Sequence, residues 1–177
     1  MPALAVEPTL RQALLGSPRP ADWAELRARA EARLARQEFP TPAAEDWKYL
    51  DLRPLASLDW VPAAPAEAEV QDFVLPEAKG SRLVFVNGRF DPHHTTVTGL
   101  SAGVRFLHLR QCSELAGALG TLADPDRADF FANLNSARFE EGALVLVPKG
   151  VRVESTLQVL FLTLAEPDAA VVTLPRL

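Results

Sequence analysis

The spacing of apolar and polar positions changes period along the chain. Between Asp22 and Gln37 the residues Trp23, Leu26, Ala30 and Leu34 recur at intervals of three and four, which places them on one face of a helix. Glu25 with Arg29, and Arg27 with Glu31, are i,i+4 charge pairs on its outside. A shorter helix is predicted from Pro8 to Leu15, closed by Gly16, and Ser17-Pro18-Arg19-Pro20 forms a rigid link. Phe39-Pro40-Thr41-Pro42 ends the long helix. Thr41 reads as the N-cap of a further helical element, with Pro42 at its first position, running through Glu45, Asp46, Trp47, Lys48 and Tyr49.

From Trp60 to Glu77 the composition shifts to Ala, Pro and Glu, and Val61 to Glu67 has the character of an extended linker. The organisation expected is a helical region over residues 1–60, a linker over 61–80, and a strand-rich segment over 81–177. Ser81 to Asp91 reads as two strands around Asn87-Gly88, a dipeptide suited to the positive φ angles of a tight hairpin. Val104–Leu109 is a further strand. Ser113–Leu119 and Pro125–Ala137 read as helices, the second capped by Asp124. Ala143–Val147, Val151–Val153, Leu157–Thr163 and Ala169–Leu174 are short apolar strands, with Pro148-Lys149-Gly150 turning the chain between the first two. Several are apolar on both faces, as strands between layers or in a solenoid are. The last runs uncapped into Leu177, so the chain is expected to be a fragment that stops inside a β-rich core. Open strand edges invite pairing with another chain, and self-association through that end, or disorder of the last strands, is expected.

Composition narrows the function classes. Fifteen prolines, clustered in the first half, favour short helices and extended connectors there. A net charge of −5 argues against binding to nucleic acid or an anionic membrane, both of which need concentrated positive surface. No apolar run approaches bilayer length, and Met1 to Glu7 lacks the basic and apolar regions of a secretion signal. Cys112 is the sole cysteine, so no intrachain disulfide can form. Together these favour the cytoplasm.

Few residues offer chemistry. His93 and His94 are adjacent in a loop and point opposite ways in extended chain, so they read as exposed turn residues rather than metal ligands. His108 and Cys112 would supply half a metal shell if they met, but nothing nearby completes it, and Cys112 reads as a small buried hydrophobe. Asp124, Asp126 and Asp129 suit a helix start, where carboxylates satisfy free N–H groups. Glu140-Glu141 before Gly142 read as turn residues, and Glu154, Glu166 and Asp168 also fall in turns. Arg27, Arg29, Arg33 and Arg36 alternate with Glu on a solvated helix face. Trp23, Trp47, Tyr49 and Trp60 read as the core of a small helical unit. There is no Gly-rich phosphate loop, nucleophile elbow or CxxC pair. No catalytic, cofactor-binding or metal-binding residue is assigned, and no enzymatic activity is expected.

Three segments carry a resemblance. Phe39 to Tyr49 resembles an FPTxxxExWKY stretch, Leu83 to Phe90 an LVFVNGxF hairpin, and Phe130 to Ala137 with Glu141-Gly142-Ala143 and Val147 to Val151 an ALNxA…DGxxIxVPKG segment. All three, in this order, are similar to the SufB/SufD family, and the first favours its SufD branch over SufB. The resemblance implies an α+β chain: an N-terminal helical region followed by the start of a right-handed parallel β-helix, here truncated. It implies a non-catalytic scaffold role in iron–sulfur cluster assembly, with SufB-like and SufC-like partners, the latter an ATPase, engaged by parts of the parent protein beyond this chain. It implies no cofactor held by these residues, the cluster being handled by the full complex. Two other readings stay open. One is a fragment of a β-helix enzyme acting on carbohydrate or transferring acyl groups. The other is a free-standing adaptor.

Overall fold

The amphipathic stretch after Trp23 forms helix α1 (Ala24–Leu34) in the computed structural model, which describes residues 23–112, 128–167 and 169–177. The expected helices Pro8–Leu15 and Ser113–Leu119, the Ser17–Pro20 link, and the roles of Asp22, Asp124, Asp126 and Asp168 lie outside the described residues. The chain folds as two units, neither continuous in sequence. The described part of the first comprises residues 23–62, 128–138 and 165–172 without 168; that of the second comprises 63–112, 139–164 and 173–177.

In the first unit, α1 buries Trp23, Arg27, Ala30 and Leu34. Arg27 is therefore not on the solvated face. At 3.6 residues per turn it lies closer to the centre of the Trp23–Ala30–Leu34 stripe than the half-buried Leu26 does, and its aliphatic stem can cover apolar surface. Arg29 and Arg36 are exposed, as expected. Trp23 stands in the left-handed region, φ 64°, at the head of the helix. Helix α2 (Arg53–Ala56) is a single turn with Pro54 near its start.

Helix α3 (Phe130–Arg138) packs along α1. Residues 128–129 are not helical, so the helix expected from Pro125 starts later, and its cap is Asp129, whose Oδ1 accepts the Ala132 N–H at 2.7 Å. Arg138 Nη1 lies 3.0 Å from Glu31 Oε1. Asn133 Nδ2 donates to Gln37 Oε1 at 2.9 Å, and both side chains donate to the Ala128 carbonyl. Phe39 meets Phe130 and Phe131 edge-on, with ring centroids 5.4 and 5.8 Å apart, and Trp47 lies 5.3 Å from Phe131.

Thr41 caps no helix. Its carbonyl accepts the Ala44 N–H, Ala44 in turn accepts Trp47 N–H, and the result is a single 3₁₀ turn, Glu45–Trp47. Two tight turns aim Trp47 at α3 and swing the next aromatic residue outward: Tyr49 is 92% exposed rather than in the core, with the Lys48 ammonium 5.0 Å from its ring centre. Trp60 is half-buried, its Nε1 donating to Leu55 O at 3.0 Å. It opens strand β1 (Trp60–Pro62), which pairs in parallel with β8 (Ala170–Val172), Trp60 opposite Ala170.

The second unit is built on β2 (Ser81–Val86), every residue of which is buried. On one side β2 pairs antiparallel with β3 (Arg89–Phe90) and β4 (Thr96–Val97); it also pairs in parallel with β7 (Gln158–Leu162), in register from Arg82–Gln158 to Val86–Leu162. Alternation along the strand feeds two cores. Leu83 and Phe85 pack with Phe106, Ala143 and Val159. Val84 and Val86 pack with Val70, Leu160 and Leu162. The expected hairpin forms at Asn87-Gly88, with φ of 49° and 75°. Strands β5 (Arg105–His108) and β6 (Ala143–Leu146) pair antiparallel, His108 opposite Ala143.

Pro148 to Val151 forms the expected turn, closed by a Val151 N–H to Pro148 O bond of 3.1 Å with Gly150 at φ 81°. Val151–Val153 is not a strand; this segment enters no ladder, and Ser101 Oγ donates to Arg152 O at 3.1 Å instead. Gly142 has a different task from the turn expected of it. It bridges Arg176 in parallel, with Ala143 N–H bonded to Arg176 O at 2.8 Å and Arg176 N–H to Glu141 O at 3.1 Å. A Cβ at Gly142 would sit 2.3 Å from the Arg176 carbonyl oxygen. Gly142→Ala is expected to destabilise the protein by about 1–3 kcal/mol through this overpacking. The check is the urea midpoint, and an unchanged midpoint would refute the close approach.

Candidate functional site

The described residues of the second unit include three groups of polar side chains. The first surrounds His108. Its ring stacks on Phe90 with centroids 4.4 Å apart and an angle of 4° between planes, and Phe85 stands at its edge. Nε2 of His108 contacts Glu141 Oε2, and the other carboxylate oxygen, Oε1, lies 3.1 Å from Arg110 Nη2. Glu141 is thus a largely buried partner of an imidazole and a guanidinium, not a turn residue. His108 and Cys112 do not act together: the imidazole faces Glu141, whereas Arg105 Nη2 approaches Cys112 Sγ at 2.7 Å. Cys112 is buried, as a small hydrophobe would be. Packed rings and the Glu141 carboxylate fix the His108 imidazole in orientation, and Glu141, held by an imidazole and a guanidinium, is anchored where its backbone carries the Arg176 bridge.

The second place is the loop after the hairpin. Asp91 Oδ1 accepts the backbone N–H groups of His93 and His94, at 2.9 and 3.2 Å, and its Oδ2 lies 2.7 Å from His94 Nδ1. Burial alone would raise the Asp91 pKa. The hydrogen bonds from the His94 ring and the two backbone groups outweigh it, so the carboxyl sits below its ordinary 3.8. His93 is exposed and His94 half-buried, and it is the His94 ring that meets Asp91. This loop, Arg89 and the Pro65–Glu69 segment border a groove of about 470 Å³.

The third place is the hairpin tip, where Asn87 is 6% exposed. Its Nδ2 donates to Ala64 O at 2.7 Å, its Oδ1 accepts Leu164 N–H at 2.7 Å, and its backbone N–H donates to Leu162 O at 2.8 Å. The sequence marks Asn87 as a turn residue but carries no local sign of this clamp, because the partners lie 23 and 77 residues away. The same holds for Glu141, 33 residues from His108, and for Gln37, 96 residues from Asn133. Among the remaining carboxylates Asp129 caps α3, Glu140 is half-buried beside Glu141, and Glu154 and Glu166 are exposed in loops. Among the described residues no three His, Cys, Asp or Glu side chains are grouped so as to hold a metal ion, and no helix is long and apolar enough to cross a membrane.

Asn87 and Asn133 thus spend their buried polar side chains on backbone groups of this chain. Residues 11–159 match the family model described as the SufBD protein N-terminal region, and the chain belongs to that family. It is 34% identical, over 147 residues, to an iron-sulfur cluster assembly SufBD family protein of Synechocystis; the match covers 78% of this chain and 32% of that relative, so the chain spans about a third of the relative's length.

The Asp91 loop yields a pH prediction. A carboxyl whose folded pKa is depressed contributes stability above its unfolded value, and that contribution is lost as pH falls through the folded value. Asp91→Asn keeps an acceptor for the backbone N–H groups but removes the charge. Wild type is expected to unfold at higher urea than Asp91→Asn at pH 7, with the gap closing below the ordinary carboxyl value of 3.8. A gap that persists unchanged into that acid range would contradict the assignment.

Proposed function

We propose that this chain is the front portion of a SufD-like, non-catalytic scaffold protein of an iron–sulfur cluster assembly complex, working in the cytoplasm. The observation that carries this reading is the family match combined with the use to which its motif residues are put. Asn87, Asn133 and Gly142 belong to two of the three segments that resemble the family, and each serves an internal contact: the hairpin clamp, the bridge from α3 to Gln37 and the Arg176 approach. Side chains so engaged suit a protein that presents a shape to partners. The SufD branch is favoured by the Phe39–Tyr49 stretch, whose Phe39 and Trp47 pack on α3.

The parallel ladder between β2 and β7, joining segments more than seventy residues apart, supports reading the second unit as the approach to a right-handed parallel β-helix. Contacts with SufB-like and SufC-like partners are assigned to parts of the parent protein outside these residues. The iron–sulfur cluster is cargo of the whole assembly.

The test uses the purified chain. Elemental analysis is expected to find metal well below one atom per chain, and ATP hydrolysis to stay at the level of a buffer control. Stoichiometric zinc or iron that disappears in Cys112→Ser, or ATP turnover that follows the protein through purification, would overturn the scaffold reading.

A further inference from the structure

Asn87-Gly88 does two things that pull in opposite directions chemically. As a dipeptide it is the sequence most open to self-modification. The nitrogen of the following residue can attack the Asn side-chain carbonyl carbon, and glycine, having no Cβ, leaves that approach unhindered. As a structural element it is the clamp of the second unit. The carboxamide is held at both ends, Nδ2 on Ala64 O and Oδ1 on Leu164 N–H, each at 2.7 Å, and the residue is buried. A carboxamide fixed in this way cannot rotate towards Gly88.

We propose that Asn87 is a deamidation site gated by opening of the hairpin clamp, and that its conversion commits an opened chain against refolding. When Ala64 and Leu164 let go, the Gly88 backbone nitrogen attacks Asn87 Cγ and loses its proton. A Cγ–N bond forms, the Cγ–Nδ2 bond breaks, and ammonia leaves with the proton. Water then opens the cyclic imide at either carbonyl, giving Asp or its β-linked isomer. Neither product restores the clamp. A carboxylate has no hydrogen to give Ala64 O and sets two acceptors against each other. The β-linked isomer adds a methylene to a two-residue turn whose φ angles, 49° and 75°, and flanking pairs Phe85–Phe90 and Val86–Arg89 leave no slack. Thr173 beside Gly88, 3.4 Å from where a Cβ would stand, closes the turn from outside.

The chain contains its own controls. Its other two asparagines, Asn133 and Asn135, precede Leu134 and Ser136 rather than glycine. The full chain is held at mildly alkaline pH, natively and in concentrated urea, and sampled by peptide mapping with mass detection. Conversion in urea is expected to concentrate at Asn87, and to be slower in the native chain by about tenfold or more, because only the opened fraction reacts. After the urea hold, the fraction that refolds is expected to fall in step with conversion. Wild-type chain held in the same urea at mildly acidic pH, where the Gly88 nitrogen is not activated by base, keeps its carboxamide, so its refolded fraction is expected to be the same before and after the hold. Equal rates in native and urea samples, conversion spread evenly over the three asparagines, or converted chain that regains the native unfolding midpoint would each overturn the proposal.

Discussion

The second unit depends on one strand being buried on both faces. β2 contributes Leu83 and Phe85 to one core and Val84 and Val86 to the other, so neither core exists unless the strand is covered on both sides. Its backbone groups must then be satisfied within the protein, because an unpaired buried N–H or C=O costs as much as a lost hydrogen bond. That demand explains the pairing. β3 and β4 take parts of the strand antiparallel, and β7 takes five consecutive positions in parallel. The antiparallel partner arrives through a local turn, which is cheap to close. The parallel partner arrives from a distant segment, and the loop entropy of bringing it back has to be offset by the packing it makes possible.

Asn87 sits where these two connections meet. It is the first residue of the turn and stands where β7 leaves the ladder; its backbone N–H donates to Leu162 O and its side-chain Oδ1 accepts the Leu164 N–H. A single residue, through its backbone and its side chain, thus ties the hairpin tip to the end of the parallel pair. Register matters here because a slip by one position would exchange the two cores of β2. Glu141 has a comparable place at the other sheet: its side chain joins His108 and Arg110, and its backbone carbonyl accepts the Arg176 N–H.

The sequence revealed elements whose signals are local and missed roles whose partners are remote. Helix α1, the Asn87-Gly88 hairpin, the Gly150 turn and the apolar runs of β5 to β8 follow from periodicity and turn chemistry within a few residues. Arg27 was misplaced because its charge outweighed its position; geometry alone puts it inside the stripe. Thr41 has the composition of a cap, yet the backbone turn to Ala44 satisfies the groups that a cap would serve. Tyr49 was drawn to the core by its size, whereas only the turn at Glu45–Trp47 decides which of Trp47 and Tyr49 faces α3. Glu141 and Asn87 disclosed their residue types and loop positions but not their partners, which are set by strand pairing across dozens of residues.

That division bears on what a motif means in this chain. A polar string such as Val-Asn-Gly or Glu-Gly-Ala invites a search for a ligand, and the geometry here directs each string to backbone instead. A buried polar group bonded at every position adds little net stability compared with an apolar core, but a misfolded arrangement that leaves it unbonded is penalised by the full cost of desolvation. Polar clamps at Asn87, Asn133 and Glu141 therefore select one register and one helix pairing more strongly than they deepen the native state. The scaffold role proposed above would draw on that selectivity directly, since it asks for one fixed geometry. The same dependence makes the hairpin vulnerable: the clamp that enforces the register rests on an amide that glycine can attack once the strand lets go.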